Sequence, residues 1–327
     1  MLGLIAISHQ LPSVGVPSAE LVKLHGFDAE FISDKLGIDQ RFKLPDDMPV
    51  SALASEVVNK LCRENEIDVE ALDLLIVVTQ TGDYCLPHVS AIVQAEVGMR
   101  KDVFVMDINL GCSGYVMGLV SALAIMETQN LRLGIVVTVD AYSRIVSMDD
   151  RATSPLFGDG ASATLIGENP RYLMGKTTFG TDGSQHELLI AKGTGSTAGT
   201  KEPLFMDGRG IFNFALRVVP TDIKKCLELN NLDFDDVDLF ILHQANAYMV
   251  KTLGQRMGIP DEKLVLHLRE VGNTTSSSIP IALEYEIKEK SVSPSTMIIS
   301  GFGVGLSWAT SVLRTNEEWD YDGKFTR

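Results

Sequence analysis

The 327-residue chain predicts an α/β protein built from two duplicated halves, residues 1–170 and 171–327. Three observations carry that expectation. Apolar strand-like runs alternate with helical stretches, the pattern of sheets whose faces are covered by helices. One helix–turn–strand unit occurs twice. A hydrophobic content of 45%, with no low-complexity tract and no run of like charge, supplies a continuous core and leaves no stretch that reads as a linker.

The duplicated unit is explicit. Residues 59–81 read NKLCRENEIDVEALDLLIVVTQT and residues 224–246 read KKCLELNNLDFDDVDLFILHQAN, an ungapped offset of 165 residues. Lys60 and Lys225, Asn65 and Asn230, Asp68 and Asp233, Asp73 and Asp238, Leu74 and Leu239, and Ile76 and Ile241 coincide. Each copy is a helix end, an acidic turn and a short apolar run suited to a strand buried on both faces. A period of this size marks a domain duplication, because solenoid repeats recur every 20 to 50 residues or so. Further strands are expected at 103–106, 133–139, 163–166 and 297–300, with helices at 114–128 and 280–288. Two such halves packed together place a site where they meet.

Charge and composition exclude several classes. A net charge of −15 argues against nucleic acid or an anionic membrane as partner, since both need a concentrated basic surface. No apolar run approaches the roughly 18 residues that span a bilayer, and the opening residues pass into Ser8, His9 and Gln10 without a basic leader or cleavage site. The expectation is a cytoplasmic protein without membrane insertion. Cys62, Cys85, Cys112 and Cys226 form no C-x-x-C pair, which fits free thiols rather than a disulfide framework or a zinc site. His9, His25, His88, His186, His243 and His267 show no H-x-x-x-H spacing, so no metal is expected. The run from Phe157 through Gly158, Asp159 and Gly160 lacks the spacing of a phosphate loop.

Cys112 is the first candidate for chemistry. It stands between an apolar strand and a long helix, in DINLGCSGYVMG, and Gly111 and Gly114 permit a tight strand-to-helix turn. Unpaired N–H groups and the positive end of the helix dipole are expected to lower its pKa, and the same amides can receive an oxyanion. The helix is apolar all round, through Val116, Met117, Leu119, Val120, Leu123, Ala124, Ile125 and Met126, and is expected to be buried. A buried cysteine is also an ordinary small hydrophobe, and both readings stand at this point. His243 ends the second repeat strand, where open α/β folds place ligand-contacting groups, yet a histidine there also serves as a structural residue. Asn273 lies in the polar loop VGNTTSSSIP, which reads equally as a capped helix start. The glycines of GFGVGLSW, residues 301–308, suit either backbone approach to a substrate or a plain turn.

Taken as an ordered set, the segments around Cys112 (NLGCSGY), Phe157 (FGDGASA), His243 and Asn246 (HQAN), Asn273 (GNT) and Gly301 (GFGVGLSW) resemble β-ketoacyl-acyl-carrier-protein synthase III over essentially the whole chain. The resemblance implies a thiolase-like fold with a five-layer αβαβα body, a homodimer, and the catalytic set Cys112, His243 and Asn273. It implies acyl-coenzyme A, a malonyl thioester and an acyl-carrier protein as substrates and partners, and no cofactor. Cys112 would take an acyl group from its thioester, and a decarboxylative Claisen condensation would follow in a lipid or more specialised pathway, such as that of a secondary metabolite or surface glycan. The backbone of Cys112 and Val304 would form the oxyanion hole, and Phe302 would press on the malonyl carboxylate. Phe31 and Arg151 would hold the adenine of coenzyme A between them, with Lys35 beside them. Tyr142, Phe157, Met206 and Leu86 of the partner subunit would line the acyl pocket, and Asn246 and Tyr248 would face substrate and carrier.

Several positions depart from the family's pattern. Val304 stands where the family has a glycine, Phe31 replaces a tryptophan, Lys35 an arginine, and Tyr248 an arginine facing the carrier, for which Lys251 and Arg256 could compensate. Two other functions remain open at this level: a cysteine acyltransferase or thioesterase delivering acyl groups to oxygen, nitrogen or water, and a catalytically silent partner of a homologous synthase. A degradative thiolase would need a second active-site cysteine, and Cys226 lies in the helix before the repeat strand.

Overall fold

Side chains along a strand point alternately to opposite faces, and in this chain both faces of the central strands are apolar. The protein, seen in a computed structural model that describes residues 1–27, 31–193, 199–288 and 294–319, opens with strand β1 (Leu2–Gln10). A small ribbon of β2 (Val14–Pro17) and β3 (Gln40–Lys43) flanks helix α1 (Ser18–His25), and α2 (Val50–Glu64) follows. Next come β4 (Leu74–Val78), α3 (Val89–Val97), β5 (Phe104–Ile108), α4 (Gly114–Gln129), β6 (Leu133–Asp140) and β7 (Gly160–Glu168). The chain continues through β8 (Tyr172–Met174), β9 (Thr178–Thr181) and a ribbon of β10 (Leu189–Ile190) with β11 (Phe205–Met206) to α5 (Gly208–Leu229). It ends with β12 (Leu239–Leu242), α6 (Ala247–Met257), α7 (Ser278–Lys288), β13 (Thr296–Gly303) and β14 (Ser307–Thr315).

The main sheet runs β12-β13-β14-β8-β1-β7-β6-β4-β5, with β9 also paired to β14. Its two arms share one topology. In the first, β4 is parallel to both β5 and β6, β7 turns antiparallel to β6, and β1 is antiparallel to β7. In the second, β12 is parallel to β13 and to a single bridge at Leu264, β14 turns antiparallel to β13, and β8 and β9 are antiparallel to β14.

The strands' alternation sorts the core into layers. Leu75 and Val77 of β4 join α2 and α3 in one apolar cluster, while Leu74, Ile76 and Val78 join α4 in another. Leu239 and Ile241 of β12 reach that same middle cluster, with Ile279, Ala282 and Leu283 of α7, whereas Phe240 and Leu242 pack on α5 and α6. Helices α4 and α7 are therefore buried between the two arms, giving the αβαβα order. This explains why α4 is apolar on every side: a helix with sheet on both flanks has little wet face left.

The aspartates preserved in both repeat copies do the same work. Asp73, just before β4, takes the N–H groups of Arg132 (2.8 Å) and Leu133 (3.2 Å) on one carboxylate oxygen, and its own N–H reaches the Leu133 carbonyl (2.8 Å). Asp238, just before β12, takes the N–H groups of Ser295 (2.7 Å) and Thr296 (3.0 Å) in the same way, and its N–H reaches the Thr296 carbonyl (2.9 Å). Each fixes where the neighbouring parallel strand begins. The expected strands and helices are found, with ends moved by a few residues; the structure corrects the glycine segment, whose residues 301–303 belong to β13 and pair with β14.

Replacing either aspartate leaves two strand-start amides without their acceptor, a loss of about 1–3 kcal/mol. Equilibrium urea unfolding is expected to show a loss in that range for both Asp73→Ala and Asp238→Ala, the larger for Asp73, which also holds Arg100 at 2.6 Å. A neutral result in one variant alone would show that the two copies of the unit are not mechanically equivalent.

Candidate active site

The nucleophile candidate is set by a turn with no room for side chains. Between β5 and α4 the Gly114 N–H bonds the Gly111 carbonyl at 2.7 Å, and a Cβ at Gly114 would run into Val78 of β4. This places the buried Cys112 two residues before the start of α4. Facing it is β13. A Cβ at Gly301 would collide with the Cys112 carbonyl, and one at Gly303 would lie 3.0 Å from the Cys112 Sγ. Gly301 and Gly303 share one face of the strand, so their bareness is what admits the turn. Ser113 and Ser307 tie the two segments together through their hydroxyls (2.8 Å). Val304 leans over the same turn, its methyl close to the space above Gly111, while its carbonyl accepts the Ser307 hydroxyl (2.8 Å).

His243 follows the last residue of β12, and its N–H bonds the Ser300 carbonyl of β13 at 2.8 Å. Its Nδ1 is 2.7 Å from the Ser278 hydroxyl, whose oxygen also faces the Gln244 N–H at 3.4 Å. Donation of the Ser278 hydroxyl proton to Nδ1 corresponds to the tautomer protonated on Nε2. The ring meets Phe302 edge-on, with centroids 5.6 Å apart and planes at 85°.

Asn273 is reached through Gly272, whose φ of 70° lies in the left-handed region. Its N–H bonds the Leu156 carbonyl and its carbonyl takes the Gly158 N–H, both at 3.0 Å, so the backbone is locked beside Phe157. The side-chain oxygen accepts the Thr275 N–H (3.0 Å), which leaves the amide NH2 as the free donor end. Behind this loop Asp140, at the end of β6, takes the hydroxyls of Thr275 and Ser276 (2.7 Å each) on one oxygen and the Gln80 N–H (2.8 Å) on the other.

Two of the three candidates meet the end of β13: Cys112 lies on Gly303, and the adjacent Phe302 stands against His243. Asn273 is paired with Phe157. Tyr142 stands beside that pair: its hydroxyl donates to the Gln80 side-chain oxygen (2.7 Å) and its ring is 5.0 Å from that of Phe157. Burial and the nearby Asp140 and Cys112 push its phenol well above the usual range.

The electrostatics correct one expectation. The helix start is present, but burial, reinforced by Asp140, pushes the Cys112 thiol up to about 12 against the lowering effect of its backbone hydrogen bond. Burial likewise lowers His243 to about 3. Loss of solvation is the largest cause at both groups, so the resting pair is a neutral thiol and a neutral imidazole.

The outer candidates fall into distinct surroundings. Met206 lies in β11, half-buried against the α5 and α6 side of the core, and Leu86 stands 86% exposed on the surface. Asn246 caps α6 through the Met249 N–H (2.8 Å), a positioning role. Tyr248, 45% exposed, is stacked on Phe212 (5.5 Å), with the Lys35 Nζ 4.4 Å above its ring. Phe31 stacks on Phe27 at 5.0 Å, and Arg151 lies over the same Phe27 ring at 5.0 Å. The remaining motifs are structural. Asp159 takes the Leu44 and Ser143 N–H groups (2.8 and 2.9 Å), and Cys226 is buried with its thiol toward the Thr310 carbonyl (3.4 Å). Among the described residues no group of metal-ligating side chains is assembled, and no helix is long and apolar enough to cross a membrane. Sequence reasoning missed Ser278, Asp140 and Gln80; the Ser/Thr run and an acid ending an apolar strand were their visible traces.

Comparison with known proteins identifies the family. Residues 106–183 match the family described as 3-oxoacyl-acyl-carrier-protein (ACP) synthase III, and residues 227–315 match the family of its C-terminal part. A β-ketoacyl-acyl-carrier-protein synthase III of Streptococcus sanguinis is 34% identical over 317 residues, covering 94% of this chain and 97% of its own. The crystal structure of a β-ketoacyl-acyl-carrier-protein synthase III from Thermus thermophilus superposes with a TM-score of 0.89 at 31% identity, covering 96% of this chain and 99% of its own. The priming β-ketosynthase of a polyketide biosynthetic pathway gives 0.87 at 25% identity, covering 96% of each.

With a neutral thiol in the resting site, acylation of Cys112 by a thioester is expected to quicken about tenfold per pH unit from pH 6 to 9, as the thiolate fraction grows. His243, neutral throughout, adds no inflection between pH 5 and 7. Stopped-flow or mass-resolved acylation rates measure this; a plateau already present at pH 7 would show a preformed thiolate.

Proposed function

The chain belongs to the β-ketoacyl-acyl-carrier-protein synthase III family, an acyltransferase of the condensing type, and we propose that Cys112, His243 and Asn273 carry its reaction. The observation that bears most weight is the packing around β13, which brings the Cys112 sulfur against Gly303 while Phe302, one residue back, stands edge-on to His243. In this reading the Cys112 sulfur attacks an acyl thioester such as acyl-coenzyme A. The S–acyl bond forms, and the carrier thiol leaves with the proton. A malonyl thioester, in our proposal malonyl carried on acyl-carrier protein, then loses carbon dioxide. The electron pair left behind becomes an enolate, whose oxygen needs donors already in place. His243 Nε2–H and the Asn273 amide supply them. A neutral imidazole held by Ser278 suits that task better than a cation, since it donates without titrating. The enolate carbon attacks the acyl-Cys112 carbonyl, whose oxygen is met by the Cys112 and Val304 amides; the C–S bond breaks, the Cys112 thiolate leaves and takes a proton from water, and the 3-oxoacyl product is two carbons longer.

Phe302 places an apolar ring where the malonyl carboxylate would sit, and poor solvation favours its departure. Tyr142, Phe157 and Met206 are proposed to line the acyl pocket, with Leu86 reaching that of a partner subunit. Strand β5 supports a homodimer: it is a sheet edge with Phe104 39% exposed, and Tyr84 and Leu86, between β4 and α3, are 66% and 86% exposed. An unpaired apolar edge of this kind is satisfied by a second copy. We further propose a division near residue 170, between β7 and β8, a cytoplasmic setting, and no cofactor.

Incubation with acyl and malonyl thioesters is expected to release carbon dioxide and yield the extended 3-oxoacyl product. His243→Ala and Asn273→Ala should each keep self-acylation and lose about a hundredfold or more in decarboxylation. Acyl transfer to water, oxygen or nitrogen without carbon dioxide would point to the acyltransferase reading instead, and no adduct at all would point to a silent partner. Sedimentation is expected to give the mass of two chains, reduced to one by Phe104→Asp.

A further inference from the structure

The proposed adenine clamp is already occupied by the protein itself. The resemblance assigns Phe31 and Arg151 as the two plates that would hold the adenine of a coenzyme A thioester. In the structure Phe27 engages both of them: its ring is 5.0 Å from that of Phe31 at an interplanar angle of 21°, and the Arg151 guanidinium carbon is 5.0 Å from its centroid. A flat ring that stacks on Phe31 and meets the guanidinium takes up the aromatic contacts of both plates, as a purine would.

Phe27 is held there by its surroundings. Helix α1 ends at Gly26 in the left-handed conformation, φ 63°, with its N–H on the Val22 carbonyl (2.9 Å), which turns the chain at this point. His25 Nε2 is 3.2 Å from the Ser154 hydroxyl, and the Arg41 guanidinium donates to the Ser154 carbonyl, so α1 and its exit are fastened to the turn that carries Arg151. Phe27 itself is half-buried, whereas Phe31 remains 37% exposed. Beyond them, Lys35 over Tyr248 and Tyr248 on Phe212 form a second cation–aromatic stack satisfied within the chain.

We propose that Phe27 is a specificity residue that fills the adenine position, so that the enzyme takes its acyl group from a pantetheine thioester lacking the adenine nucleotide, as on the prosthetic arm of a carrier protein, in preference to acyl-coenzyme A. This rests on the reading of Cys112 as the acylated residue and deepens it by naming the donor. To admit adenine, Phe27 must leave both partners, and that loss opposes any stacking gained by the nucleotide. The pantetheine arm, having no ring, does not compete with Phe27.

The test compares second-order rate constants for acylation of the full chain by butyryl-coenzyme A and butyryl-pantetheine, together with calorimetric affinity for adenosine 3′,5′-bisphosphate. Wild type is expected to react about threefold or more faster with butyryl-pantetheine than with butyryl-coenzyme A and to bind the nucleotide weakly. Phe27→Ala should raise the coenzyme A to pantetheine ratio about tenfold or more and tighten nucleotide binding by a similar factor, while Phe27→Trp, which keeps a plate in the gap, should leave both unchanged. A ratio that stays constant or falls in Phe27→Ala would overturn the proposal. The nucleotide affinities judge Phe27 without any chemistry, so an absence of adducts with both thioesters would count against Cys112 and not against the clamp.

Discussion

Strand β13 carries no side chain at Gly301 or Gly303, and that bareness lets the turn around Cys112, built by the other arm of the sheet, rest on its backbone. Phe302 and His243 take their positions from the same strand. Phe302 lies between the two glycines in sequence and must point to the opposite face, where it meets His243. His243 follows β12, which is registered residue by residue against β13, so the imidazole can move only if the strand pair slips. The same hairpin, through Ser307 and Val304, covers the turn from the far side.

A second frame holds the donor loop. Asp140 reaches across from β6 to Thr275 and Ser276, while the backbone of Asn273 is hydrogen-bonded to Leu156 and Gly158. The loop is thus gripped by groups from the first arm although its own helix, α7, packs in the middle layer. This is the physical meaning of the duplication. Each arm supplies what the other cannot: one the sulfur on a helix start, the other two N–H donors on its strand end and loop. Neither would be oriented if the arms folded apart.

Much of this was legible in the sequence. The repeated aspartates, the apolar character of α4 on all sides and the placement of Cys112 between strand and helix follow from local pattern alone. The glycines of β13 were visible as residues but not as strand, because glycine is needed there for an approach by a turn almost two hundred positions away. Ser278 and Asp140 were hidden for the same reason: a hydroxyl in a Ser/Thr run and an acid at a strand end acquire roles only through partners distant in sequence. The direction of the Cys112 shift was missed because a helix dipole is a local quantity, whereas burial is decided by the whole fold. The short strands β8 and β9 left no periodic trace, being too brief to show one. Phe27 carries no signal of its own in the sequence, since nothing near it announces Arg151 as a neighbour.

The uncharged state of the Cys112 and His243 pair reaches beyond turnover. Peroxide and soft electrophiles attack sulfur as its anion, so a cysteine kept protonated by burial is a poor target for them. The glycine-lined seam that makes the residue slow to ionise therefore also shelters it while no thioester is bound. The packing that orients the sulfur is thus also what keeps it protonated.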